Sequence, residues 1–552
     1  MDDSLNKKKF IALTILIFFV ALFFRTWKLD AFPVSLSIDE VAIGYNAYSI
    51  LKTGKDEWSE KFPLAFKSVG DYKPPVNIYL TVPFIAVLGL NEWAVRLPSA
   101  LTGTLTVLVF IFLLRELGIG RVGSLFGGFW LAILPWHVHF SRGSFEAVTA
   151  LFFLILGTYL YFLSMRRNLL WITLSLIAFS LSIWAYHAER FFTPLLVIFL
   201  LALFRNELIP YFKKNLKLLI LLIIIFLFFA VPFIYLTVFT DSIKTRALST
   251  SILREPSLIF NLHNGNYSNF GELLFDNDYW LIFRHWAGKY INYFDFRFWF
   301  WKGMQFTPPG YSDLGLLYTV DLPIFLLGVY ALIKSKNRIL KKVAIFFFFA
   351  GPLAASFTMN EQHPLRAMVW IPFFGIVIAS GFSWVLTRPK LFKIIVGALY
   401  SVAIFFSILY FKDIYFYQFP KFYSEYWQYG FKEISNYACQ NKDKYKNVII
   451  SETFGSEGPL TTGTPYVYYL FYCKFDPETF INNKLLTKSN DAGNVIFNRV
   501  DWSSDSRRDN ILLIAAPWDL PPDKIPKENI IKTINFLNGK TGFLFVETKP
   551  KL

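Results

Sequence analysis

Residues 216–239 read LKLLILLIIIFLFFAVPFIYLTVF and contain one charged side chain, Lys217, near the start. A helix needs about 20 predominantly apolar residues to cross the hydrocarbon core of a bilayer, so this stretch predicts a membrane-spanning helix. The rest of the chain has the same character, since 55% of its 552 residues are hydrophobic and 20% are aromatic. This composition excludes an ordinary soluble enzyme and predicts a polytopic α-helical membrane protein.

Ten further apolar segments bring the number of predicted spans to eleven. In chain order the eleven spans are 10–25, 94–114, 122–140, 145–165, 169–186, 190–205, 216–239, 314–334, 342–358, 364–387 and 391–411. The first follows Lys7 to Lys9 in the manner of a signal peptide but lacks a small-residue cleavage site, so it is predicted to remain as a span. The stretch 76–90 is short and contains Pro83, which predicts an interfacial helix in the first outer loop.

The basic residues provide an independent test of this topology. They fall in short clusters between the apolar segments, namely Arg115 and Arg121; Arg166 and Arg167; Arg205, Lys213, Lys214 and Lys217; Lys334, Lys336, Arg338, Lys341 and Lys342; and Arg388, Lys390 and Lys393. With a cytoplasmic N-terminus, all of these clusters lie inside, as expected for a multi-pass plasma membrane protein. The net charge of +16 therefore does not predict nucleic-acid binding, because no basic domain exists.

This topology places two long loops, 26–93 and 240–313, and the C-terminal part outside the cell. From about Lys412 the composition becomes more polar, with short apolar runs at 447–451, 510–514 and 542–546. We therefore predict a transmembrane domain over 1–411 and an extracytoplasmic α/β domain over 412–552. Only two cysteines occur, Cys439 and Cys473, and the sequence leaves open whether they are bonded.

Two adjacent carboxylates, Asp39 and Glu40, lie just after the first span, on the predicted outer side. A carboxylate there can take a proton from an incoming hydroxyl or hold a divalent cation. The alternative is a solvated loop pair, or an aspartate that caps a helix beginning near Val41. Lys73 precedes two prolines that fix the backbone, so its ammonium is either a phosphate contact or a snorkelling side chain.

Further charged pairs lie at the predicted outer ends of the spans. Glu92 and Arg96 are four residues apart and are predicted to pair with each other. Arg142 and Glu146 have the same spacing, and they either pair or add a cation and an acid to the side that carries Asp39.

Two histidine–arginine pairs are predicted to lie on that same side. His187 with Arg190, and His363 with Arg366, are each three residues apart and would share a helix face. Interfacial anchoring explains either pair alone, but both together favour an anion site, because arginine contacts phosphate in a bidentate manner.

The stretches Ile38-Asp39-Glu40, Asp71-Tyr72-Lys73-Pro74-Pro75 and Arg96 to Gly103 resemble the membrane glycosyltransferases of the C-type superfamily. Within it they are similar to the protein O-mannosyltransferases and to the aminoarabinose transferases that modify lipid A. Phe140 to Arg142 with Glu146, and His363 to Arg366, also fit, so the resemblance covers roughly 10–410. It implies transfer of a sugar, with inversion, from a polyprenyl-phosphate-linked donor to a protein, lipid or glycan acceptor at the outer face.

The resemblance also implies roles for individual residues. Asp39 is the expected base, Glu40 a helper or metal contact, and Glu146 a second acid. The cations expected to hold the carrier phosphate are Lys73, Arg142, Arg190 and Arg366, and the paired His187 and His363 are expected beside them. The resemblance does not fix a cofactor, and Asp39, Glu40 and Glu146 leave a Mg²⁺ or Mn²⁺ site open.

The competing interpretation is a transporter or flippase of a lipid-linked saccharide. Transporters tend to carry ionisable residues near the bilayer midplane and to be built from repeats. In this chain the unusual charges cluster at one predicted surface, and the two halves do not match. The sequence therefore favours the transferase.

Overall fold

The computed structural model describes residues 5–263, 265, 267–304, 306, 313–359, 361–458, 464–482 and 491–548. These residues form a mostly helical membrane region and a small C-terminal sheet domain. The helices of the first half are α1 Lys7–Thr26, α2 Ile38–Thr53, α3 Pro75–Leu88, α4 Glu92–Glu116, α5 Arg121–Ile133, α6 Pro135–Arg142, α7 Glu146–Arg166, α8 Trp171–Ala185, α9 Glu189–Leu203, α10 Arg205–Lys214 and α11 Leu216–Phe239.

The second half continues the helical region and then changes to mixed structure. Its helices are α12 Ser242–Ser249, α13 Pro256–Asn261, α14 Phe270–Phe275, α15 Asp278–Asn292, α16 Leu322–Lys334, α17 Arg338–Ala350, α18 Leu353–Ser356, α19 Ile371–Val385, α20 Lys390–Asp413, α21 Phe419–Tyr423, α22 Phe431–Asn441, α23 Pro465–Tyr472, α24 Pro477–Asn482 and α25 Trp502–Asp505.

Seven helices among the described residues are long and apolar enough to cross a membrane, or eight if the bent pair α9 and α10 forms one span. The chain is therefore a multi-pass membrane protein, but the predicted count of eleven is not confirmed. The predicted span 122–140 is broken at Leu134, because the ring of Pro135 cannot continue the preceding helix. The predicted span 169–186 contains a helix of only 15 residues.

The loop between α1 and α4, which was predicted to lie outside, contains α2, a short hairpin and α3. Strands β1 Phe66–Ser68 and β2 Asp71–Lys73 are antiparallel, with Phe66 opposite Lys73 and Ser68 opposite Asp71. Side chains two residues apart in a strand share a face, and the face that carries Phe66, Ser68 and Lys73 is buried. The hairpin thus directs Lys73 inward, and Pro75 then starts α3 at the position where a proline is best tolerated.

The C-terminal domain contains a six-stranded sheet in the order β4-β5-β3-β6-β8-β7. Its strands are β3 Asn447–Ile450, β4 Asp491–Ala492, β5 Val495–Phe497, β6 Ile511–Ala515, β7 Ile530–Asn535 and β8 Thr541–Glu547. Strand β3 is parallel to β5 and β6, and the other pairs are antiparallel. The three apolar runs of the sequence form β3, β6 and β8, so a small C-terminal sheet domain is present as predicted, while its start at residue 412 and its extracytoplasmic side stay predictions. Cys439 and Cys473 are both free thiols.

Helix α2 packs between the membrane region and the sheet domain. A hydrophobic cluster joins Val41 and Tyr45 of α2 to residues of α23 and of the sheet. Gly44 allows this close packing, because a Cβ atom there would lie 2.6 Å from the Phe471 ring and 2.7 Å from Val95. The helix that carries the two predicted carboxylates is therefore fixed from both sides.

Candidate active site

The start of α2 determines where the two carboxylates point. Ser37 caps the helix, since its hydroxyl accepts a bond from the Glu40 amide at 3.4 Å while the Glu40 carboxylate accepts one from the Ser37 amide at 2.8 Å. The helix therefore begins at Ile38, and the idea that Asp39 caps a helix from Val41 is wrong. Asp39 lies in the first turn with 66% of its side chain exposed.

Lys73 forms an ion pair with Asp39. The lysine side chain is only 6% exposed, because the hairpin turns it towards the protein interior. Burial lowers the pKa of Lys73, but the charges of Asp39 and Glu146 outweigh burial, so the pKa lies above its ordinary value. Lys73 is therefore a fixed cation in direct contact with the predicted base.

Glu146 connects this ion pair to a second cation. It lies in the first turn of α7, and its charge acts on both Lys73 and Arg190. Electrostatic interactions thus link Asp39 to Lys73, Lys73 to Glu146 and Glu146 to Arg190, a row in which acidic and basic side chains alternate. These four predicted residues come from four separate segments of the chain.

A cavity of about 540 Å³ lies at the Arg190 end of this row. Its polar lining includes three predicted residues, His187, Arg190 and Arg366, and its apolar lining includes Phe233 and Phe357. The Arg190 guanidinium lies 5.4 Å from the centre of the Phe233 ring, so the cation is held against an apolar wall. A cavity of this kind suits a ligand with an anionic head and an apolar body.

His363, the remaining predicted histidine, does not line that cavity. Its amide donates to the Tyr293 hydroxyl at 3.0 Å, which fixes the chain three residues before Arg366. A direct role of His363 in ligand binding stays a prediction.

Glu40 serves the fold rather than the open site. Its carboxylate accepts bonds from Arg96 Nε at 2.8 Å, Arg96 Nη2 at 3.3 Å and the Ser144 amide at 3.2 Å. Arg96 does not pair with Glu92 as predicted, because Glu92 instead binds Lys432 at 2.6 Å. Because fixed donors occupy both carboxylate oxygens of Glu40, this side chain is not available as a catalytic helper.

Arg142 is likewise turned away from the cavity. Its terminal nitrogens donate to the backbone carbonyls of Phe24 at 2.9 Å, Trp27 at 2.8 Å and Phe32 at 3.1 Å. These carbonyls lie at the end of α1 and in the turn that follows, where helix carbonyls lack partners. Arg142 therefore has a structural role in place of the predicted phosphate contact, because its terminal nitrogens cannot donate to these carbonyls and to a phosphate at the same time.

Glu57, a buried acid in the loop after α2, was not among the predicted site residues. Its amide donates to Asn46 at 3.2 Å, but neither carboxyl oxygen has a hydrogen-bond partner of good geometry among the described residues. Burial raises the pKa of Glu57 to about 7, and nearby Ser68 and Lys73 lower it only in part. Its only signal in the sequence is a second adjacent acid pair, Asp56-Glu57.

A metal site at Asp39, Glu40 and Glu146 does not fit the geometry, because Glu40 has no oxygen to offer. Among the residues that the structure describes, no three His, Cys, Asp or Glu side chains lie close enough to hold a metal ion.

Comparison with known proteins bears on the same part of the chain. Residues 72–235, which include Lys73, Glu146 and Arg190, match the sequence model of the family described as dolichyl-phosphate-mannose-protein mannosyltransferase. The predicted resemblance is confirmed. The putative mannosyltransferase YkcB of Bacillus subtilis (strain 168) is 31% identical over 101 residues, which are 18% of this chain and 14% of that protein. The chain thus matches about a seventh of the length of this relative.

The fold resembles that of a solved protein along almost its whole length. ArnT from Cupriavidus metallidurans in the apo state superposes with a TM-score of 0.50 at 14% identity, and the match covers 97% of each chain. AglB from Archaeoglobus fulgidus, an archaeal oligosaccharyltransferase, gives a TM-score of 0.49 at 12% identity and covers 92% of this chain and 69% of that one. The ArnT match shows a shared fold.

Proposed function

We propose that this protein is an integral membrane glycosyltransferase that moves a sugar from a polyprenyl-phosphate-linked donor to an acceptor at the outer face of the membrane. The observation that carries the proposal is the alternating row of Asp39, Lys73, Glu146 and Arg190, which ends in the cavity with His187 and Arg366. The family match over 72–235 supports it, since that stretch contains three of the four residues. The proposal includes eleven membrane crossings, a cytoplasmic N-terminus and an extracytoplasmic C-terminal domain.

Asp39 is the proposed base. The acceptor hydroxyl oxygen attacks the anomeric carbon from the face opposite the phosphate, so the configuration inverts. Its proton passes to the Asp39 carboxylate, which is exposed enough to meet an acceptor from outside. The bond between the anomeric carbon and the phosphate oxygen breaks, and the phosphate leaves with the electron pair.

The cations stabilise the leaving group. Negative charge grows on the phosphate as the bond breaks, and fixed positive charges stabilise that change most strongly where water is excluded. Arg190 and Arg366 at the cavity, with Lys73 between Asp39 and Glu146, are the proposed phosphate contacts. The rings of Phe233 and Phe357 give the first prenyl units an apolar wall.

The decisive experiment compares Asp39→Asn with Asp30→Asn in liposomes supplied with polyprenyl-phosphate-mannose and extracted cell-envelope acceptors. Asp30 is an exposed aspartate of the same loop and serves as the matched control. Wild type and Asp30→Asn should release polyprenyl phosphate, while Asp39→Asn should be slower by about 10²- to 10⁴-fold, the usual contribution of a general base. Substantial transfer by Asp39→Asn would contradict the assignment, and movement of intact donor between leaflets would favour a flippase.

A further inference from the structure

The sheet domain makes specific polar contacts with the start of the helix that carries Asp39. Gln428 lies in the turn between the last predicted span and α22, and its side chain is buried. Its Oε1 atom accepts a hydrogen bond from the Ile38 amide at 2.8 Å and another from the Tyr468 hydroxyl at 2.7 Å. The Tyr468 hydroxyl also lies 3.3 Å from the Leu36 carbonyl, so α23 contacts both sides of the cap residue Ser37.

The backbone of Gln428 is held in an unusual conformation. Its φ angle is +56°, in the left-handed region that side-chain-bearing residues rarely adopt. Such conformations persist where the surrounding structure fixes them, and they are common near functional sites. In this position the Gln428 side chain reaches the amide of the residue directly before Asp39.

The Ile38 amide is one of the first amides of α2, which have no acceptor inside the helix. Ser37 satisfies the Glu40 amide, and Gln428 satisfies the Ile38 amide. Without the Gln428 acceptor, a partly buried donor next to Asp39 loses its partner, and the first turn is less strongly held. Asp39 then samples orientations in which its carboxylate is displaced from Lys73.

We propose that Gln428, supported by Tyr468, is a positioning residue that orients Asp39 towards the acceptor. The C-terminal domain is then part of the catalytic unit and not a separate docking module. This inference rests on the proposed transferase function, because it assigns Asp39 the role of base.

Three variants distinguish the effect of the Gln428 hydrogen bonds from the effect of the size of its side chain. Gln428→Met keeps the length but removes the acceptor, whereas Gln428→Glu keeps an acceptor for both donors. Gln440→Met, at an exposed position of α22, is the matched control. Should Gln428→Met fail to fold, Tyr468→Phe tests the same contact by removing one hydroxyl.

Transfer kinetics give the first readout. Gln428→Met should lower kcat by about 10- to 100-fold, as expected for a catalytic group displaced by about 1 Å. The KM for the lipid donor should stay unchanged, because the donor cavity is not altered. Gln428→Glu should retain most of the wild-type kcat, and Gln440→Met should match the wild type. A kcat for Gln428→Met equal to that of the wild type would overturn the positioning role.

Hydrogen–deuterium exchange of the peptide that contains Ile38 gives a second readout that does not depend on turnover. Exchange there should be faster in Gln428→Met than in Gln428→Glu. Faster exchange with an unchanged kcat would refute positioning while leaving the contact itself in place. If the wild type transfers no sugar, the proposed function fails, and exchange still reports whether Gln428 holds the helix.

Discussion

Replacing Glu57 with glutamine should make the protein more stable at neutral and alkaline pH but not at acidic pH. Glu57 is buried in the loop after α2, and burial raises its pKa from an ordinary value of 4.5 to about 7. A carboxyl group with a raised pKa binds its proton more tightly in the folded state than in the unfolded state. Its contribution to stability is therefore complete below about pH 4.5 and is lost as the pH rises through about 7.

The size of the effect follows from the same shift. The difference between 4.5 and about 7, at about 1.4 kcal/mol per pH unit, gives a loss of about 3 kcal/mol above neutral pH. Glutamine has nearly the same shape but stays neutral, so it avoids the cost of burying a charge. The variant should match the wild type near pH 5 and exceed it increasingly up to pH 8.

The assay is thermal unfolding of the detergent-solubilised protein, followed by tryptophan fluorescence at several pH values between 5 and 8. Glu60→Gln, which neutralises an exposed carboxyl three residues further on, controls for the change in net charge. The quantity to compare is the Tm of each variant minus that of the wild type at the same pH. A Tm difference for Glu57→Gln that does not change with pH would refute the reasoning.

The remaining predictions concern two arginines, Arg366 as a proposed phosphate contact and Arg142 as a structural residue. Arg366→Ala should raise the KM for the lipid donor about 10- to 100-fold, as expected for a lost charge-assisted hydrogen bond, and the yield of folded protein should be normal. Arg254 is an exposed arginine of the predicted second outer loop, and the control variant Arg254→Ala should leave the KM unchanged. Arg142→Lys should instead lower the folded yield in size-exclusion chromatography, because leaving the Phe24 or Phe32 carbonyl without a donor costs about 1–3 kcal/mol. Weaker donor binding by fully folded Arg142→Lys would show that Arg142 contacts phosphate after all.

Long apolar runs and charge patterns predicted much of the architecture from the sequence. The spans at α1, α4, α7, α11 and α20 and the strands β3, β6 and β8 were predictable because each is a continuous apolar run of suitable length. The broken and short helices were not, because composition does not show whether a segment is covered by protein or by lipid. The order of the strands also depends on contacts between distant parts of the chain.

The candidate site shows the same limit at the level of single residues. Asp39, Lys73, Glu146 and Arg190 were predicted on one side of the membrane, and the structure brings them together. The pairing predicted for Arg96 with Glu92 was wrong because spacing within a helix reports only local neighbours. The phosphate contact that the resemblance implied for Arg142 is opposed by its hydrogen bonds to backbone carbonyls. The partner of Arg96 lies 56 residues away, and an acceptor of Arg142 lies 118 residues away.

The contact between α2 and the sheet domain has a consequence for biogenesis. The hydrogen bonds from Ile38 to Gln428 and from Tyr468 to Leu36 join residues 390 and 432 positions apart in the chain. A growing polypeptide therefore inserts its early helices long before the partners of α2 are synthesised. The segment that bears Asp39 reaches its final arrangement only after Tyr468 has been translated and the sheet domain has folded. A truncated product is thus left with an incompletely held reaction centre.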